Sequence, residues 1–202
     1  MERQRRISDF MFRLSILFLV LGISAAAVAP SERTIGKALS LVYLHIGFFL
    51  AALILLILSL IASAFGVRYE KARRIANTSF SFASLSWLIY FVLSAAVAYL
   101  GWGGIFWQEP RMVIAVRVLI LLSAAMVLVW VMEERAKNLV ISLASLLSII
   151  IWLGRYSIFH PKAPIRNSDN LSIKALAVIS IAGIVISVLM LASAVFLRDE
   201  KS

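Results

Sequence analysis

The stretch ALSLVYLHIGFFLAALILLILSLIASAFG, residues 38–66, decides the fold. It runs for 29 residues without an acid, a lysine or an arginine. A helix needs about 20 mostly apolar residues to cross roughly 30 Å of hydrocarbon, so this run spans a membrane with residues to spare. Working outward, five more stretches meet or approach that length: 10–29 before it, then 79–100, 112–132, 138–154 and 172–197. The expectation is an all-α integral membrane protein, one domain over residues 1–202 with six transmembrane helices.

Composition agrees. Hydrophobic residues make up 62% of the chain and charged residues 15%, whereas a soluble domain is about half apolar and a quarter charged. Such a chain has too little polar surface to cover itself in water. The absence of cysteine excludes disulfides, thiolate metal sites and thiol nucleophiles. The net charge of +10 reads as lysine and arginine held at the cytoplasmic face, not as a nucleic-acid footprint.

The loops alternate in charge. The amino-terminal segment with Arg13, the loop 67–76, the turn near 133–137 and the tail together hold twelve basic residues, against seven in the three intervening segments. The positive-inside bias then puts both termini in the cytoplasm. The loops 101–111 and 155–171 fall on the outer side, in the cell (plasma or inner) membrane. The first span has a rival reading as a cleaved signal peptide, from its basic start and its ending Ala27-Val28-Ala29. Its apolar stretch is long for that role, and an uncleaved span is expected. Small residues of the third span, including Ser81, Ser84, Ser86 and Ser94, are expected to permit close helix packing.

Few residues can do chemistry. The chain has two histidines, His45 inside the second span and His160 after the fifth. No acid lies deep in a span, which argues against a proton-coupled carboxylate relay. A 29-residue helix measures about 43 Å, so if its surplus projects outward, His45 reaches the outer interface level with His160. Two neutral imidazoles facing one another can hold one haem iron from both sides. The bland reading of either histidine is an interfacial side chain or one bonded to a neighbouring helix. The outer loop reads Gly101-Trp102-Gly103-Gly104-Ile105-Phe106-Trp107-Gln108-Glu109-Pro110-Arg111. On composition it reads first as an interfacial aromatic belt or plain loop, the reading that also suffices for Trp87, Trp130 and Trp152, and second as a porphyrin platform with a cation for a propionate. Arg117, inside the fourth span, either snorkels or meets a propionate.

That loop resembles the tryptophan-rich signature of the CcmC-like haem-handling proteins of cytochrome c biogenesis, W-G-x-x-W-x-W-D-x-R. Trp102 and Gly103 match its opening pair and Arg111 its arginine, while Phe106, Gln108 and Glu109 take the places of two tryptophans and the aspartate. Trp107 lies one position from a family tryptophan. Tyr43, His45 and Ile46 are similar to the family's Y-x-H-V-P, with Gly47 in place of the proline. Tyr156, Phe159, His160 and Pro161 are similar to W-W-R-x-L-H-P, with Arg155 where a tryptophan is usual. The arrangement runs in order over residues 38–165.

The resemblance implies a protein that holds haem b transiently and non-covalently at the outer membrane face and delivers it, without being an enzyme. It implies His45 and His160 as axial ligands of the haem iron. It makes Trp102, Gly103, Phe106, Trp107 and Glu109 platform and partner contacts, and Arg111 a propionate or partner contact. The implied partners are a membrane-anchored CcmE-like haem chaperone, a small CcmD-like subunit and a CcmAB-like ATP-binding cassette complex. Cytochrome c synthetase activity is not expected, since those chains are longer and carry more spans. A membrane b-type electron-transfer cytochrome and a haem-free membrane transporter subunit are the alternatives.

Overall fold

The structure, a computed structural model, describes residues 2–33, 35–154, 165 and 168–199, with the side chains at 135 and 199 outside that description. Six helices follow one another: α1 Glu2–Ala27, α2 Leu39–Gly66, α3 Glu70–Trp102, α4 Pro110–Val131, α5 Glu134–Leu153 and α6 Leu171–Asp199. All six are long and apolar enough to cross a membrane. Among the described residues the chain is helical throughout apart from its connections, and the one β-bridge, Glu32 with Gly36, closes a turn. The described residues thus form a six-helix, multi-pass membrane fold.

Three helices begin four or more residues before the stretches that hydropathy marks. α1 starts at Glu2 instead of residue 10, α3 at Glu70 instead of 79, and α5 at Glu134 instead of 138. Apolarity reports the hydrocarbon, but a helix keeps its backbone hydrogen bonds into the headgroup layer. There, ion pairs such as Arg74–Glu70 (2.8 Å) and Lys137–Glu134 (2.7 Å) stabilise the polar first turns.

The helices run up and down. α2 is the hub, packing on α1, α3, α5 and α6. α2, α3, α4 and α5 close a ring, each touching the next, and α1 and α6 form a pair on the other side of α2. Trp87, Phe80, Leu55, Leu56, Val118, Leu122 and Ile141 fill the ring's interior. In the α1–α6 pair, a side chain on Gly183 would come within 2.9 Å of the Gly22 backbone, so only hydrogen at both positions lets these helices meet. Ser8 of α1 donates to the Ala194 carbonyl of α6 at 2.9 Å, and Asp9 pairs with Arg198 at 2.8 Å. The start of α1 and the end of α6 therefore lie at one end of the bundle.

That end also carries the α2–α3 and α4–α5 turns, where Arg73 approaches Glu134 at 3.8 Å. We call it the basic end and the other the distal end. Beside the basic end, buried polar contacts join three helices. Ser59 donates to the Ala76 carbonyl (3.1 Å), Asn138 to the Ser63 carbonyl (2.8 Å) and Ser145 to the Ser59 hydroxyl (3.4 Å). In hydrocarbon such bonds between spans serve as local glue. In α3, Ser86 is buried as a packing residue, but Ser81 and Ser84 turn their hydroxyls back onto carbonyls of their own helix.

Candidate functional site

The four ring helices are unequal. α2 and α3 have 28 and 33 residues, α4 and α5 have 22 and 20. At the basic end they are aligned, as the Asn138–Ser63 and Arg73–Glu134 contacts show. The difference is therefore taken up at the distal end, where α4 and α5 stop while α2 and α3 continue.

Two contacts fix the level of that step. Trp152, one residue before the end of α5, packs its ring 5.1 Å from Phe49 of α2. Trp87 of α3 donates its indole N–H to the Ala115 carbonyl of α4 at 3.0 Å. Pro110, five residues before Ala115, then lies about 7.5 Å further out along α4, beside the turn of α3 that follows Tyr90. Tyr90 packs its ring 5.9 Å from His45 and 5.1 Å from Phe49. The His45–Phe49 turn, the end of α5 and the start of α4 thus share one level.

His45 is half-buried on α2 at this step. Phe49 and Trp87 lie 5.9 Å apart, and Trp87 and Tyr90 meet edge-on at 5.2 Å. Phe49, Tyr90 and Trp152 keep part of their surface uncovered, whereas Trp87 beneath them is fully buried. Glu109 and Arg111, at the start of α4, lie near Tyr90, so the site is an imidazole beside an aromatic floor with one carboxylate and one guanidinium at its edge.

The loop 101–111 resolves into different parts. Trp102 ends α3 half-buried, packed on the cluster that includes Ile35, Leu39, Tyr43 and Val97. Gly101 beside it packs on Ala38, seven residues before His45, which places Trp102 about 10 Å further out than the imidazole. Gly103 takes a left-handed conformation, φ 79°, and donates to the Tyr99 carbonyl at 3.0 Å, closing α3. Phe106 and Trp107 are exposed. Glu109 is buried and caps α4, its carboxylate accepting from the Met112 N–H at 2.9 Å, with Pro110 behind it in the first helical position. Arg111 is exposed at the level of His45.

The structure therefore brings His45, Glu109 and Arg111 to one level and leaves Trp102 beyond it. His160 lies outside the described residues, as do Tyr156, Phe159 and most of the loop 155–171. Arg117 is exposed on α4, two residues from inward-facing Ala115 and so on the opposite side of the helix. It faces away from His45, which favours snorkelling over a propionate contact inside the ring. Gly47 lies where α2 crosses α6: a Cβ there would meet the Ile184 Cβ at 2.8 Å.

Sequence reasoning treated Trp87 and Trp152 as belt residues and passed over Phe49 and Tyr90. The signal was spacing. His45 and Phe49 stand four apart and Trp87 and Tyr90 three apart, which puts each pair on one helix face. Trp130, exposed near the end of α4, does sit as a belt residue would.

No protein-family model matches this chain, and no curated protein matches it.

Proposed function

We propose that this chain binds haem b at the step beside His45 and delivers it to a membrane-anchored, CcmE-like haem chaperone for cytochrome c maturation. The observation that carries the reading is the placement of His45, one of two histidines in the chain, where α4 and α5 both stop. The second histidine, His160, follows Gly154 by six residues, a length of chain that reaches at most about 20 Å. α5 ends at the level of the His45–Phe49 turn, so this reach is ample for both imidazoles to serve one iron.

The donor set fits the group. Neutral imidazole is a haem ligand, aromatic faces receive an apolar macrocycle, and Arg111 at the same level offers a cation for a propionate. Haem bound here supplies an iron porphyrin as cargo, and its non-covalent hold leaves it transferable. In this reading Phe106 and Trp107 are the exposed aromatic contacts for haem or chaperone. Trp102, Gly103 and Glu109 shape the loop that carries them. CcmD-like and CcmAB-like partners belong to the same proposal.

The proposed orientation has both termini in the cytoplasm and the step on the extracytoplasmic side of the plasma or inner membrane. The charge of the basic end supports it.

The test is a spectrum. Purified protein supplied with haem is expected to show a Soret band that His45→Ala and His160→Ala each weaken and shift. If both variants keep the wild-type haem content and line shape, the ligand assignment is wrong. No Soret band at all would leave the haem-free transporter subunit. The position of His45 within the ring favours one second reading, a b-type electron-transfer cytochrome that retains its haem. Loss of haem to added apo-chaperone separates delivery from retention.

A further inference from the structure

Resting on the haem reading, we infer that the macrocycle stacks on Trp152 of α5, with Phe49 and Tyr90, and not on the tryptophans of the loop 101–111. These three rings come from three helices and lie in one connected group, Phe49 standing 5.1 Å from both Trp152 and Tyr90. Trp87 packs beside the group, fully buried and bonded to the Ala115 carbonyl, while Phe49, Tyr90 and Trp152 are each only partly buried. The imidazole of His45 adjoins the same group through Tyr90, at 5.9 Å.

A flat apolar ligand held by that imidazole finds its nearest π-faces there. The loop offers less. Trp102 is engaged in packing on the buried cluster that includes Leu39, Tyr43 and Val97, beyond the level of His45, and Trp107 is exposed. Trp152 is also the last aromatic side chain of α5, with only Leu153 of that helix beyond it. Trp152 is therefore a positioning residue: it sets the plane of the ligand, and His45 supplies the bond to iron.

The experiment titrates the full-length protein, in nanodiscs of phosphatidylcholine and phosphatidylglycerol, with haemin. Trp152→Leu is expected to weaken haemin binding about tenfold, Trp152→Phe to stay within about threefold of wild type, and Trp107→Leu to have no effect beyond about threefold. Indole fluorescence gives a second readout. Haemin is expected to quench the emission that Trp152→Phe removes more strongly than the emission that Trp107→Phe removes. Trp152→Phe keeps the packing volume close to native, so unequal quenching remains readable if Trp152→Leu fails to fold. Wild-type affinity in a folded Trp152→Leu, or equal quenching of the two indoles, overturns the inference. If those results come with a Soret band that His45→Ala abolishes, the haem reading survives alone. If wild-type protein takes up no haemin, both fall.

Discussion

Trp87 of α3 and Ala115 of α4 are joined by one hydrogen bond, indole N–H to backbone carbonyl at 3.0 Å, and the indole that makes it is fully buried. This bond sets the register of α4 against α3 and so the height at which α4 begins. Trp87→Phe keeps most of the ring and loses the donor. Its expected cost is about 0.5–2 kcal/mol, the scale of hydrogen bonds between membrane spans, and Trp87→Ala is expected to cost about 3–5 kcal/mol. Reversible unfolding in mixed micelles measures both, and equal stability of Trp87→Phe and wild type would show that the bond sets nothing.

The α1–α6 pair can be tested chemically because the chain has no cysteine. Ser8→Cys with Ala194→Cys, placed where the serine hydroxyl meets the opposing carbonyl at 2.9 Å, is expected to cross-link rapidly within one chain in native membranes. Adding Gly183→Leu is expected to slow that cross-link at least several-fold, since even a methyl there meets the Gly22 backbone at 2.9 Å. An unchanged rate would refute the close crossing.

The proposed orientation predicts opposite accessibility. Lys71→Cys at the basic end is expected to react with a membrane-impermeant maleimide only after the membrane is opened. Trp107→Cys in the exposed distal loop is expected to react in intact cells. The reverse pattern inverts the assignment.

Glu109 has a structural task that its place in the loop conceals. Glu109→Ala is expected to cost about 1 kcal/mol or more through loss of the α4 cap, read as a lower melting temperature, with Glu109→Gln costing less because an acceptor remains for the Met112 N–H. A melting temperature unchanged by Glu109→Ala would assign the carboxylate elsewhere.

Arg117→Leu is expected to leave stability unchanged or raise it, since it removes a charge from an outward face within an apolar span, and, under the proposed haem reading, to leave the Soret band of haem-supplied protein unchanged. A changed Soret band in this variant would bring Arg117 back to the site.

Much of this fold is written in hydropathy. Six apolar runs correspond to six helices among the described residues, while the caps at Gly103 and Glu109 that end α3 and start α4 were hidden inside the tryptophan-rich loop. The heights of the helices were not legible, because apolarity does not say where a helix that continues into the headgroup layer ends. Glu70 and Glu134 were therefore missed as starts. The floor of the site was missed for a related reason. Trp87 and Trp152 lie far apart in sequence, and only the register of α5 and α3 against α2 brings both rings to Phe49. His45 could be singled out by its rarity, but its neighbours could not.

The unequal lengths of the ring helices also act on the lipid. An apolar wall of 20 to 22 residues, about 30 to 33 Å, lies beside walls of 28 to 33 residues, so the molecule offers the bilayer a rim of two elevations. Acyl chains lining α4 and α5 end where those along α2 and α3 still have helix beside them. A leaflet that followed both walls would slope around the perimeter at the distal end, lowest on the side where α4 starts and α5 stops.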